Sequence, residues 1–400
     1  MKILITDGSE RTALAAARSL VASGYEVHVA ARSRYSLAGV SRGVRPHAIA
    51  SDSLGSAAEF VAELDHLVRA HEIALLLPVT DASAEAVLAE RRGLPAGLLV
   101  PLPELAVYRR AADKLEVMEL ARASGFAAPE TVVLESSSPA HIPGGIFPAV
   151  VKPHRSVVTV DGKARRVGVA FVDDQAACRR ALAALPPSAF PVLLQRRVAG
   201  EGQGLFALRW DGKTIARFAH RRLRDKPPAG GVSVYREAIA LDPDLVRASE
   251  RLLQSLDWQG VAMIECRRDS VTGRHVIMEV NGRLWGSLQL AVDAGVDFPR
   301  LLVQCATGRE YRIQNGTPYR IGIRSRWFWG DVDQLYLRFT HSARDLGLPP
   351  EDRSRLRALR DFLSTRPGRD RSEIWRWRDP APFLLETTAW IRGALAGHFE

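Results

Sequence analysis

The chain has 400 residues, 46% of them hydrophobic and 25% charged, the balance of an ordinary globular protein, and the length implies two or three domains rather than one small core. Its net charge of +10 points to anionic partners: nucleic acid, a lipid surface, a nucleotide or an acidic metabolite. The three cysteines, Cys178, Cys266 and Cys305, are too scattered for a disulfide framework or a zinc site and fit a reducing cytoplasm, and neither a membrane span nor a secretory leader is expected.

The first hundred residues alternate strand and helix. KILITD reads as a buried strand, ERTALAAARSLVASG as an Ala-rich helix ended by Gly24, and YEVHVAAR as the next strand. A helix over Ser56–Ala70 and a strand over Ile73–Val79 complete a doubly wound α/β pattern. The turn after the first strand, Asp7-Gly8-Ser9-Glu10, is not G-x-G-x-x-G, so a bound dinucleotide is not expected there. Pro-rich LLVPLPELAVYRR closes this domain, giving residues 1–108.

A helix is predicted from about Ala111 to Ser124, ended by Gly125, and PAVVKP is a short buried strand carrying Lys152. DGK turns at Asp161–Lys163 and Asp211–Lys213 suggest two hairpins. Between and beyond them come QRRVAGEGQG, HRRLRDKPPAGGVS, a helix over Asp244–Leu256, a strand over Val261–Arg267 and, after a turn at Thr272-Gly273, a strand over His275–Val280. Past about Tyr311 there is no lysine, and Trp327, Trp329, Trp375 and Trp377 stand among many arginines. Residues 311–400 therefore read as an Arg/Trp-rich extension, with its aromatics expected in a core and DPAPFLLETTAWIRGALAGHF as an amphipathic helix packed on its own protein.

The sequence IMEVNGRLWGSL carries the densest chemistry. On a strand, Glu279, Asn281 and Arg283 share a face, while Met278 and Val280 point into a core. If the Glu265 strand pairs with it, two carboxylates and an amide converge, a hard oxygen set suited to Mg²⁺. Only six of the 55 basic residues are lysines; of these Lys114, behind Asp113 in a helical first turn, and Lys152, at a strand end, are placed to supply complementary charge. His220, Arg222 and Arg224 form a cationic cluster just before Gly230, Gly231 and Ser233, where backbone can approach a ligand closely. Arg222 and Arg224 alternate and are expected to share a face.

The ordered set Asp113-Lys114, FPAVVKP with Lys152, LLQRRVAGE ending at Glu201, Glu265, and MEVNGR with Glu279, Asn281 and Arg283 resembles the ATP-grasp superfamily, and most closely its branch of carbamoyl-phosphate-synthetase-like carboxylate–amine ligases. The resemblance covers residues 1 to about 310. It implies a pre-ATP-grasp α/β domain, then an α+β ATP-grasp domain over 109–310 with lobes at about 109–193 and 194–310. It also implies roles: Lys114 and Lys152 on nucleotide phosphates; a hinge over Gln195, Arg196 and Val198 whose backbone reads adenine; Glu201 on the ribose hydroxyls; Glu265, Glu279 and Asn281 on Mg²⁺, with Mn²⁺ as the alternative; and Arg283 on the transferring phosphoryl group. In this chain Arg196 and Arg197 stand where the family often has an acidic and an aromatic residue, and the phosphate loop, His154–Val169, has only Gly162 and Gly168 where relatives are glycine-rich.

The activity so implied is ligation of a carboxylate to an amine or thiol through an acyl phosphate, releasing ADP and phosphate. The expected partners are an anionic acid and an amine, with no nucleic acid and no membrane span, and with a homodimer left open. A carboxylase or carbamoyl-phosphate-type kinase on the same fold is the alternative enzyme. A non-catalytic nucleotide- or nucleic-acid-binding protein is the alternative outside enzymes, marked by steep salt dependence.

Overall fold

The computed structural model describes residues 1–155, 157–160, 163–311, 319–343, 345–348, 352–364 and 366–396, with residues 157–160 and 163–166 described in backbone only. The N-terminal elements follow the hydrophobic pattern closely. They are β1 (Lys2–Ile5), α1 (Arg11–Ala22), β2 (Glu26–Ala31), β3 (Val44–Ala48), α2 (Ala57–His71), β4 (Leu75–Leu77) and α3 (Asp81–Ala89). The strands form a parallel sheet of order β3-β2-β1-β4. Ile3, Leu4 and Ile5 are fully buried, as a strand covered on both faces requires. Ser56 caps α2 by accepting the Glu59 N–H, and Gly24, at φ 82°, turns the chain out of α1.

The helix predicted over 111–124 is two helices, α4 (Leu105–Ala112) and α5 (Lys114–Ser124). Asp113 leaves helical geometry at ψ 110°, and its carboxylate accepts the N–H groups of Leu115 and Glu116. Propensity alone runs through this position; the cap ends one helix and starts the next. Val117, Met118 and Ala121 of α5 share a core with Leu252, Leu256 and Ile264, so α5 packs on the second lobe although it precedes the first in sequence.

The first lobe comprises β5 (Thr131–Leu134), β6 (Ala149–Pro153), β7 (Val157–Val160), β8 (Lys163–Arg166), β9 (Ala170–Val172), α6 (Gln175–Ala183) and β10 (Val192–Arg196). Its antiparallel sheet has the order β5-β10-β6-β9, and β7 and β8 pair as a separate ribbon. Asp161 and Gly162, at the predicted turn between them, lie outside the described residues.

The second lobe contains β11 (Gly200–Trp210), β12 (Lys213–Lys226), β13 (Val232–Ala238), α7 (Pro243–Ser255), β14 (Gly260–Asp269), β15 (His275–Asn281), α8 (Leu288–Ala294) and α9 (Phe298–Ala306). The Asp211–Lys213 turn joins β11 to β12 as predicted. The sheet does not stop near residue 310. After β16 (Arg324–Arg326) come α10 (Phe328–Thr340), α11 (Arg355–Leu363), β17 (Asp370–Ser372) and α12 (Ala381–Leu395). β16 and β17 extend the sheet to the order β15-β14-β11-β12-β13-β16-β17.

One apolar core joins this sheet to the N-terminal domain: Phe206, Phe218, Trp285 and Phe298 cluster with Ile3, Leu14, Val27 and Val29. In the C-terminal segment Trp329 stacks on Trp390 at 4.1 Å, and Trp327 donates to Glu386 at 2.7 Å. Trp377 departs from the expected core placement, being 86% exposed. Among the described residues no helix is long and apolar enough to cross a membrane.

Candidate active site

β14 and β15 pair antiparallel with Glu265 directly opposite Glu279 and Met263 opposite Asn281. Ile264, Cys266, Ile277 and Val280 point away into the core. A bulge next to Glu265 lets Ile277, rather than Met278, stand opposite Cys266, so the simple alternation fails at one residue. Met278, expected in the core, instead lines a cleft of about 390 Å³ together with Glu265, Glu279, Asn281 and Arg283. The Asn281 amide donates to Glu279 Oε1 at 3.0 Å.

Lys114 and Lys152 line the same cleft and are both buried, at 6% and 8% exposure. α5 supplies the first from its capped first turn, and β6 the second from its end; the Lys114 N–H donates to the His154 carbonyl at 3.1 Å, tying the two elements. Burial, and then the Lys114 charge, push the Lys152 ammonium down to about 8, against the pull of Glu279 and Glu265. The two carboxyls diverge. Burial drives Glu265 upward despite Arg222, whereas for Glu279 burial is outweighed by Lys114, the Asn281 amide and Lys152, which hold it below its ordinary value.

Arg283 donates to Asp81 Oδ2 at 2.9 Å and to Asn281 Oδ1 at 3.4 Å. Burial opposes its charge, but Asp81 raises its pKa above the ordinary arginine value. Asp81 begins α3 of the N-terminal domain, so that domain orients a residue of the cleft. Nothing in the local sequence around either residue announces the pairing.

Gln195 and Arg196 end β10, and Arg197 and Val198 begin the connection to β11. Gln195, Arg196, Arg197 and Val198 all line the cleft, beside an apolar wall of Val150, Val167, Val169, Phe171 and Met278. The Arg196 side chain turns to Glu130, at 2.5 Å, and to the Gly145 carbonyl, at 2.7 Å. Of the expected phosphate loop, Ser156, Asp161 and Gly162 lie outside the described residues.

Glu201 is not brought to the cleft. Its carboxylate accepts from Gln203 at 2.9 Å and from Arg221 at 3.3 Å, and Gly202, its neighbour on the opposite face of β11, lines the cleft instead. A Cβ at Gly202 would meet the Arg222 side chain at 2.9 Å, so glycine makes room for that arginine.

The cationic cluster is only partly assembled as predicted. His220, Arg222, Gly230, Gly231 and Ser233 line the cleft. Arg222 donates to Glu265 Oε2 at 2.5 Å and to the Gly231 carbonyl at 3.1 Å. Arg224 does not share their face: bulges on either side of it shift the register, and it forms a bidentate pair with Asp331 of α10, both contacts at 2.6 Å. Arg236, Arg267, Asp225 and Arg11 complete the cleft and were not anticipated. Arg236 was readable, because it sits at an alternate position on β13 from Val234; Arg11 was not, since it arrives from α1 with its guanidinium 3.9 Å over the Trp327 ring. Both ring nitrogens of His220, Ser233 Oγ, and the Nε atoms of Arg222 and Arg267 are buried without hydrogen-bond partners. Each such group costs roughly 1–3 kcal/mol if left unmet, so this end of the cleft has the chemistry to receive a polar, anionic ligand.

A family described as "ATP-grasp in the biosynthetic pathway with Ter operon" matches residues 191–328, the hinge and second lobe through β16. No curated protein matches the chain in sequence. Among solved structures, an L-amino acid ligase from Bacillus licheniformis is 15% identical with a TM-score of 0.59, over 76% of this chain and 74% of that one. An N5-carboxyaminoimidazole ribonucleotide synthetase from Thermus thermophilus is 18% identical with a TM-score of 0.58, over 80% and 81%. A biotin carboxylase from Campylobacter jejuni, in a β-γ-ATP complex, is 14% identical with a TM-score of 0.59, over 81% and 74%. Such likenesses establish the fold, and the ATP-grasp family match adds a sequence similarity confined to the hinge and second lobe.

Proposed function

We propose that the chain is an ATP-dependent ligase that joins a carboxylate to an amine or thiol and releases ADP and phosphate. The observation that carries this reading is the register of Glu265 opposite Glu279, with Asn281 beside them and two buried lysines in the same cleft. Similarity to an L-amino acid ligase of the same fold supports the reaction class.

The oxygen donors fit Mg²⁺ or Mn²⁺: Glu265, Glu279 and Asn281 would hold the ion, which would neutralise charge on the nucleotide phosphates. The chain's own residues have the following parts. Lys114 and Lys152 bind phosphate oxygens. The wall of Val150, Val167, Val169, Phe171 and Met278 accepts a flat base, whose edge meets backbone at Gln195–Val198, the Arg196 side chain being held by Glu130. Arg283, held by Asp81, stabilises the phosphoryl group in transfer. His220, Arg222, Ser233 and Arg236 receive the acid substrate.

A carboxylate oxygen of that acid attacks the γ-phosphorus and ADP leaves, giving an acyl phosphate. The amine nitrogen then attacks the acyl carbon, phosphate departs, and the nitrogen's proton passes to solvent. Catalysis rests on positioning and charge stabilisation, and no enzyme nucleophile is needed. The test is a screen of acids crossed with amines and thiols for ADP release, with mass spectrometry of the product. An acid- and amine-dependent condensation product is expected. ADP release that requires bicarbonate and no amine would replace this reading with a carboxylase.

A further inference from the structure

Away from the cleft, the N-terminal domain gathers three histidines from three elements. His28 lies on β2, His47 opposite Ala30 on the edge strand β3, and His71 is the last residue of α2. One ring nitrogen from each lies within 4.8 Å of the other two. His28 Nδ1 is 2.8 Å from His47 Nε2, and the three ring centroids are 4.5–5.1 Å apart. His28 is fully buried and the other two half-buried.

The orientation of His28 is fixed from behind. Its Nε2 sits 3.0 Å from Glu26 Oε1, and Glu26 is itself paired with Arg45 at 3.0 Å. A carboxylate at that position accepts a hydrogen bond from Nε2–H, leaving the Nδ1 lone pair facing His47 and His71. A backing carboxylate of this kind orients metal-ligating imidazoles and raises their basicity. Two nitrogens on one tetrahedral zinc stand about 3.4 Å apart for Zn–N of about 2.05 Å, so the 2.8 Å pair would open by about half an ångström.

We propose that His28, His47 and His71 form a binding site for a divalent transition ion, Zn²⁺ foremost, distinct from the oxygen-lined cleft. Three imidazoles select such an ion over Mg²⁺, whereas Glu265, Glu279 and Asn281 select the reverse. The half-buried side leaves a fourth position for water. The site staples β3, an edge strand whose five residues are all half-buried or exposed and include Pro46, to β2 and to the end of α2.

The test uses the full chain, stripped with a chelator and returned to buffer with millimolar Mg²⁺ so that oxygen sites are filled. One equivalent of Zn²⁺ is expected to bind, Co²⁺ to give the visible absorption of tetrahedral coordination, and Zn²⁺ to raise the melting temperature. His47→Gln and His71→Gln, chosen because these side chains are only half-buried, should each weaken Zn²⁺ binding at least a hundredfold and lose the Co²⁺ band. ADP binding with Mg²⁺ should be unchanged in both, which shows them folded. No Zn²⁺ retention at micromolar concentration in the wild type, or equal retention in folded variants, would overturn the site.

Discussion

Glu265 and Glu279 face each other across adjacent antiparallel strands, yet their surroundings pull them apart: Arg222 holds one, and Lys114, Lys152 and Asn281 hold the other. The carboxyl shifted upward is the one whose neighbour across β12 is an arginine; the one shifted downward faces both lysines. The two carboxyls are therefore unequal, with Glu279 ionised first.

From this follows the effect of Glu279→Gln. The change keeps shape and the hydrogen-bonding partner of Asn281 but removes the more readily ionised carboxylate. Turnover should fall at least about 10²-fold, the scale of losing a principal charge-stabilising group, while the circular dichroism spectrum stays native. Near-normal turnover at saturating Mg²⁺ would exclude Glu279 as a ligand.

On the proposed reading, Lys152 should give nucleotide binding a pH dependence. With its ammonium at about 8, the free protein loses this charge as pH rises through that value, so affinity for ADP should decline above pH 8. Lys152→Arg, which stays charged, should flatten that decline while binding more weakly near pH 7, because a planar fork differs from a point charge. The same shift predicts that the empty protein gains stability between about pH 8 and 10.5, where the unfolded chain still holds the proton that the folded one has lost. Calorimetric titrations with ADP from about pH 6.5 to 9.5, a window that spans the Lys152 transition, decide the first point; identical profiles for wild type and Lys152→Arg would refute it.

Much of the cleft was legible because strand alternation is a local rule. Glu265, Glu279, Asn281 and Lys152 were found by counting along strands, and Asp113 before Lys114 carried a readable cap. The rule failed wherever a bulge intervened. Met278 moved from core to cleft beside one bulge, and Arg224 left the cluster between two others. Glu201 failed for a related reason: one residue of register separates it from Gly202, and alternation sends them to opposite faces. Asp81 behind Arg283, and Arg11 over Trp327, join residues 202 and 316 positions apart, and no local pattern encodes such contacts. The sheet's continuation into β16 and β17 was hidden likewise, since three-residue strands leave almost no periodic signal.

Arg222 links the cationic end of the cleft to the Glu265 strand. Arg222→Ala would remove both the substrate-facing guanidinium and the cation beside Glu265. The apparent constant for the acid should rise roughly tenfold to a hundredfold, the cost of an unpaired charged contact. The acid limb of the pH–rate profile should also move to higher pH, because Arg222 opposes the upward shift that burial imposes on Glu265. A rise in the acid constant with an unmoved acid limb would separate Arg222 from the metal site.

Arg224 supplies the contrasting case two residues away. It makes a bidentate pair with Asp331, a side chain with no exposure, donates to the Asp361 carbonyl at 3.2 Å, and lies 4.4 Å over the Tyr235 ring. None of these partners belongs to the cleft; they anchor α10 and α11 to β12 and β13. Arg224→Ala leaves Asp331 with Arg326, which donates to it at 2.5 Å, so the buried carboxylate keeps one cation. The remaining loss is that of charge-assisted hydrogen bonds, about 1.5–3 kcal/mol. Urea denaturation should show a lower midpoint by that measure, with kinetic constants for ATP and the acid close to wild type. A variant of native stability with a raised acid constant would return Arg224 to the substrate site alongside Arg222.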